Sequence, residues 1–395
     1  MINVIRKTSL LKNKKYSTYS QNNIYLKTEN LQETGSIKLR ALADKIKLLK
    51  DKGYEQIIVV STGNTGRSAA YLCQELKMKC TVYMPLTTSY STILEIKGYD
   101  ACVILEGLNI EETKNHLNKL ENDSLTYVID LANEMDCSLA YESLVNEIIE
   151  ELENVDIILA PVGTGSLING LISAIQKNNY SIKVIAVEPY NHATLSKSIE
   201  NNMSVSLTNS YSIAETINGK TISNLFFDNI KNNISDVIKV SDEELIDCFL
   251  DVTEENKVIV ENSGLLSLVG AKYLNEKNKN VVCLLTGGNV DMTTMSTMLE
   301  SGLINKGRIF TFAVMLSDKP GELLEVAQTI AQNKGNVVGL SHNQLSALTR
   351  QNKVELIATV EAFGLNHKFK ICRELENKGY NVRLIDDHLG SDFDG

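Results

Sequence analysis

The chain has 395 residues, 43% of them hydrophobic and 22% charged, with a formal net charge of −10. That length admits two or three domains and a substantial core. The acidic balance argues against nucleic acid or an anionic membrane as partner. No apolar run reaches the length of a membrane span. The opening MINVIRKTSLLKNKK lacks the apolar stretch of a signal peptide. Seven scattered cysteines with no C-x-x-C pair support neither a disulfide framework nor a structural zinc. The expectation is a protein of the reducing cytoplasm.

In chain order, the first informative stretch is Leu26 to Arg40, LKTENLQETGSIKLR. Thr34, Gly35 and Ser36 supply turn and capping chemistry, and Leu39, Leu42, Ala43, Ile46 and Leu49 recur at helical spacing. Lys38 opens that helix, where a cation gains nothing from the helix dipole. Taken alone it reads as a solvated lysine; taken with the rest of the chain, it is the residue expected to carry chemistry. Three units then repeat one pattern of a β-branched run, a glycine turn and a helical period. QIIVVS precedes TGNTGRSAAYLCQEL, VDIILAP precedes VGTGSLINGLISAI, and VVCLLT precedes GGNVDMTTMSTML. Further strands are expected at CTVYMP, ACVIL, TYVID and IKVIAVEP. Strands alternating with helices predict a mostly parallel sheet with helices on both faces. Ligands of such sheets bind beyond the carboxyl ends of the strands, where all three glycine turns fall.

From Arg308 the pattern changes to strand, helix, strand, strand, helix, strand. This β-α-β-β-α-β order predicts a small ferredoxin-like domain. The final HLGSDFDG has no periodicity and is expected to be disordered.

Several constellations invite chemistry. Gly163-Thr-Gly-Ser-Leu167 between a strand and a helix reads as a phosphate cup, with Ser166 as an added donor, or as a plain tight turn. A dinucleotide fingerprint fails, because its third glycine falls on Ile168. Ser61-Thr-Gly-Asn-Thr65 would suit a carboxylate, with Asn64 near a phenolic oxygen, or is an N-cap cluster. Thr286 places a neutral hydroxyl at a strand end, as a cap or against a ring nitrogen; there it would not stabilise a pyridinium as a carboxylate would. Five histidines form no metal-spaced pair.

KTENLQETGSIK resembles the Lys-x-Glu-Asn-Leu-Gln-x-Thr-Gly-Ser-Phe-Lys motif of fold-type II pyridoxal-phosphate enzymes, most closely the threonine/serine dehydratases. TSL at 8–10, MP at 84–85, AVEP at 186–189, KVSDEEL at 239–245 and TGGNVDM at 286–292 match in the same order. Residues 308 to 387, with SDKPGEL and GNVVGLSH, are similar to the regulatory ACT domain of medium-length threonine ammonia-lyases. The resemblance implies two open, twisted α/β subdomains in residues 1–307, the smaller of them (about 40–135) inserted in the larger, and an ACT-like domain at 308–390.

It further implies pyridoxal 5'-phosphate as cofactor and Lys38 as its Schiff-base lysine and later the Cα base. Asn64 would meet the phenolic oxygen, Gly163, Thr164, Gly165, Ser166 and Leu167 the phosphate, and Thr286 the pyridine nitrogen. Ser61, Thr62, Gly63, Asn64 and Thr65 would take the carboxylate of a small amino acid. The implied reaction is elimination from L-threonine, and from L-serine, to a 2-keto acid and ammonia. The implied assembly is a homo-oligomer, dimer or tetramer, with an amino-acid effector near the turn from Asp318 to Gly321.

The chain departs from the dehydratases in several places. Ile37 stands for Phe, Thr62-Gly-Asn-Thr65 for Ala-Gly-Asn-His, and Asn262-Ser-Gly264 for Gly-Ala-Gly; Thr164 and Ser166 interrupt a four-glycine loop. Gly-Asn-Thr-Gly is closer to the cysteine synthase branch, so β-replacement is one alternative. A non-catalytic, amino-acid-binding paralogue is another.

Overall fold

The computed structural model describes residues 4–117, 124–207, 210–217, 221–343 and 353–385. The expected disordered tail, and the end of the ACT-like span beyond residue 385, lie outside them. The chain forms two compact units, Met1–Asp291 and Met292–Gly395.

The first unit holds strands β1 (Leu10–Asn13), β2 (Asn23–Lys27), β3 (Gln56–Val60), β4 (Lys79–Met84), β5 (Cys102–Leu105), β6 (Thr126–Ile129), β7 (Ile157–Pro161), β8 (Lys183–Pro189), β9 (Asp236–Val240) and β10 (Asn280–Leu284). They make two sheets. The larger runs β1-β2-β10-β7-β8-β9, parallel throughout except for β1; the smaller, β5-β4-β3-β6, is wholly parallel. Parallel sheets need both faces covered, and β7 is buried along its whole length. The helix Lys38–Asp51 buries Leu39, Leu42, Ala43, Ile46 and Leu49, the apolar face that the sequence spacing predicts.

Strands β1, β2 and β9 were not among the sequence expectations. β1 and β2 carry lysines and asparagines that break the apolar run, and Lys27 is nevertheless fully buried. Its ammonium donates to the Thr8 carbonyl at 2.6 Å and lies 3.0 Å from Glu147. Arg40, just beyond Lys38, joins the same cluster through Glu29 at 2.7 Å and Glu147 at 2.7 Å. Burial alone would lower the Arg40 pKa, but its hydrogen bonds to Glu29 and Glu147 outweigh burial and raise it. Removing one partner from such a buried cluster costs roughly 3–5 kcal/mol, so the helix that presents Lys38 is firmly anchored.

The second unit begins with helix Met292–Asn305 and continues through β11 (Ile309–Ser317), β12 (Asn336–Asn343), β13 (Lys353–Glu361) and β14 (Arg383–Leu384). These form an antiparallel sheet in the order β12-β13-β11-β14. Phe310, Phe312, Val314 and Leu316 of β11 alternate into a core with Leu356, Ala358 and Val360 of β13. Helices Glu322–Gln332 and Leu365–Asn377 add Val326, Ile330, Ile371 and Leu375 to it. The expected final strand, YNVRLI, shrinks to two residues. Among the described residues, no helix is long and apolar enough to cross a membrane.

Candidate active site

Three of the sequence-selected turns follow strand ends in the first unit: Ser61–Gly63 after β3, Val162–Gly165 after β7, and Leu285–Gly288 after β10. Strands β10 and β7 are neighbours in the larger sheet, so the Thr286 turn and the Gly163 turn sit side by side, one strand spacing apart.

Lys38 is brought to these ends by its preceding loop. Ile37 N–H donates to the Thr286 carbonyl at 2.9 Å, and the Gly288 N–H donates to the Gly35 carbonyl at 2.9 Å. Ser36 and Gly287 form an antiparallel bridge. Gly35 has φ +66°, and a Cβ there would strike the Asn289 amide, so the close approach of the two loops needs glycine. Lys38 as a residue is half-buried, and its amine makes no hydrogen bond or ion pair with the described residues. Burial lowers its pKa, with the Glu261 carboxylate pulling the other way. An unpaired, desolvated lysine amine of depressed basicity is suited to act as nucleophile or base.

The turn after β7 is an open set of donors. Helix Ser166–Lys177 starts behind Gly165, which has φ +92°. Its first internal bond is Asn169 N–H to the Gly165 carbonyl at 2.9 Å. The N–H groups of Gly163, Thr164, Gly165, Ser166 and Leu167 find no acceptor among the described residues. The Ser166 hydroxyl is buried and also without a partner. A buried hydroxyl left unbonded is uncommon, and this one lies among the open N–H groups of a helix N-terminus, which attracts anions.

The turn after β3 is more occupied. The Ser61 hydroxyl accepts the N–H groups of Gly63 and Gly66, both at 3.0 Å. Thr62 is exposed and Thr65 half-buried, and the N–H groups of Thr62, Asn64 and Thr65 have no acceptor among the described residues. Asn64 is held at both ends: its amide nitrogen donates to the two Glu261 oxygens at 2.9 and 3.0 Å, and its oxygen accepts from Asn289 at 2.7 Å. Thr286 is buried, and its hydroxyl has no partner among the described residues.

Glu261 and Asn289 were not selected as site residues from sequence, although Asn289 lies in the TGGNVDM motif and Glu261 directly precedes Asn262-Ser-Gly264. Nothing local marks a glutamate after three apolar residues as a neighbour of Asn64; the pairing spans most of the first unit.

The second unit contains a cavity of about 330 Å³ lined by residues 316 to 323 and His342. The turn from Asp318 to Gly321 forms part of its wall.

Residues 2–287 match the family described as pyridoxal-phosphate dependent enzymes. The chain is 28% identical over 385 residues to the L-threonine ammonia-lyase of Thermotoga maritima, covering 97% of this chain and 96% of that one. It is 31% identical over 306 residues to a catabolic L-threonine dehydratase of Staphylococcus aureus, covering 76% of this chain and 88% of that one. Among solved structures, the processed threonine deaminase isoform 2 of Solanum lycopersicum superposes with a TM-score of 0.70 at 25% identity, over 75% of this chain and 88% of that one. The serine racemase of Dictyostelium discoideum gives 0.67 at 28% identity, over 73% and 94%.

Proposed function

We propose that this chain, which belongs to the pyridoxal-phosphate dependent enzyme family and within it to the threonine ammonia-lyase relatives, releases ammonia from L-threonine, and from L-serine, by β-elimination of water and its return on hydrolysis, to leave a 2-keto acid. The observation that carries the reading is an unpaired amine on the half-buried Lys38 in the same unit as a helix N-terminus with open N–H groups and an orphaned Ser166 hydroxyl. These residues fit a phosphate ester bearing an aldehyde.

In this reading Gly163 to Leu167 hold the cofactor phosphate, Asn64 faces its phenolic oxygen and Thr286 its ring nitrogen. When bound, pyridoxal 5'-phosphate supplies an electron sink for charge developing at the substrate Cα. The chain supplies the rest. The N–H groups of Thr62, Asn64 and Thr65, with the threonine hydroxyls, hold the substrate carboxylate and orient the Cα–H bond. Lys38 Nζ takes the Cα proton, and its lowered pKa favours the neutral amine that this step needs. The β-hydroxyl leaves as water; the enamine released takes up water and loses ammonia, so threonine gives 2-oxobutyrate and serine gives pyruvate.

Lys38→Ala is expected to slow 2-oxobutyrate formation by roughly 10²–10⁴-fold; turnover at the full rate would overturn the assignment. Supplying O-acetylserine with sulfide and assaying cysteine separates elimination from β-replacement. The cavity at the turn from Asp318 to Gly321 supports an ACT-like role for the second unit, with a small amino acid as effector. An effector that alters kcat/KM in the full chain should lose its influence when residues 308–395 are removed; an unchanged response would refute this.

A further inference from the structure

Glu261 is buried, with 7% exposure, and directly precedes helix Asn262–Gly270. Its own N–H donates to the Gly287 carbonyl at 2.9 Å. Its carboxylate accepts the Asn64 amide at 2.9 and 3.0 Å and the Ser263 hydroxyl at 2.7 Å. Thr216 in turn donates to Ser263 at 2.6 Å. On the other side of Asn64, Asn289 donates to the amide oxygen at 2.7 Å and to the Thr34 carbonyl at 2.9 Å.

This arrangement permits one orientation of the Asn64 amide. Turned over, its oxygen would face the Glu261 carboxylate and its nitrogen would face the Asn289 amino group, setting acceptor against acceptor and donor against donor. Two glycines leave room for the network: a Cβ on Gly287 would come within 2.6 Å of the Glu261 carboxyl carbon, and one on Gly35 within 2.3 Å of the Asn289 oxygen. Asn64 opens the helix behind β3, in the smaller sheet, whereas Asn289 follows β10, in the larger, and Glu261 is bonded to the turn after β10 through Gly287. The network therefore crosses between the two sheets and ends at the loop that presents Lys38.

We propose that Glu261 is a positioning residue that fixes the orientation of Asn64, and through it the contact of Asn64 with the cofactor's phenolic oxygen. The inference rests on the proposed role of Asn64 against that oxygen. The Glu261 carboxylate also raises the pKa of the Lys38 amine against burial, which fits a role at the reacting centre.

A double-mutant cycle tests it. Glu261→Ala, Asn64→Ala and the double variant are each titrated with pyridoxal 5'-phosphate, reading the dissociation constant and the absorbance maximum of the bound form, with circular dichroism as the check on folding. Loss of a hydrogen bond to a charged group predicts a rise of about tenfold in the dissociation constant for each single variant. The double variant should be no worse than the weaker single one, and both single variants should move the absorbance maximum alike. Effects that multiply, or an absorbance maximum that Glu261→Ala leaves in place, would overturn the proposal. If Glu261→Ala does not fold, Glu261→Gln keeps the shape and one acceptor oxygen; a smaller rise with the same spectral direction supports the proposal, and wild-type binding overturns it. An enzyme that needs Lys38 but is indifferent to Glu261 sinks this inference alone, whereas full activity in Lys38→Ala sinks the functional reading beneath it.

Discussion

Two glycine turns in the first unit, each closing a parallel strand and opening a helix, differ in where their hydrogen bonds go. After β7, Gly163 to Leu167 point five N–H groups and the Ser166 hydroxyl at no protein partner among the described residues. After β3, Ser61 folds back onto Gly63 and Gly66, and Asn64 is tied to Glu261 and Asn289. The first turn keeps its donors open, and the proposed function places the cofactor phosphate there. The second closes more of its own bonds and leaves the N–H groups of Thr62, Asn64 and Thr65 open, where the proposed function places the substrate carboxylate. A resident cofactor and a substrate that leaves each turnover call for that contrast.

The largest effect that would break the contrast comes from Gly165. Its φ of +92° is a conformation that an L-residue adopts at a cost of about 1–2 kcal/mol, and a Cβ would lie 2.7 Å from Ile230 Cδ1. Gly165→Ala should re-aim several donors together and raise the pyridoxal 5'-phosphate dissociation constant on the order of a hundredfold, each charge-assisted bond contributing about 1.5–3 kcal/mol. Ser166→Ala is the sharper probe. Its hydroxyl has no partner to lose in the cofactor-free protein, so the melting temperature of that form should stay unchanged or rise. The cofactor dissociation constant should rise about tenfold. A fall in melting temperature without weaker cofactor binding would mean that the hydroxyl serves the fold rather than the phosphate.

Sequence made the strand-turn-helix units legible because their signals are local. The spacing of Leu39, Leu42, Ala43, Ile46 and Leu49 marks one buried face, and Gly163-Thr-Gly-Ser follows directly on an apolar strand. It did not reveal β1 and β2, which pair with each other, β2 also with the distant β10, and which bury Lys27 against Glu147, a partner far along the chain. The same limit separates the two turns. Both read as anion cups because hydroxyls and glycines were counted, but whether a hydroxyl is free depends on tertiary neighbours. The Ser61 hydroxyl closes its own loop, whereas Ser166 does not, and Asn64 meets Glu261 only after the two sheets are placed side by side.

Ser61→Ala gives the smallest effect and bears most directly on the contrast. Removing the acceptor leaves the N–H groups of Gly63 and Gly66 without the bond they make at 3.0 Å. Loss of a capping hydroxyl costs about 1 kcal/mol, and here the loss falls on the loop after β3, in the smaller sheet, rather than on the turn after β7. The expected outcome is a lower melting temperature and a KM for threonine raised several-fold, because Thr62 and Thr65 lose their fixed geometry, while Asn64 stays held by Glu261 and Asn289 and the cofactor dissociation constant stays within error of wild type. Measuring both constants on one preparation makes the outcome decisive. If cofactor binding weakened along with substrate binding, the two turns would be coupled through Asn64, and the division between a turn built for a resident anion and one built for an exchanging anion would be lost.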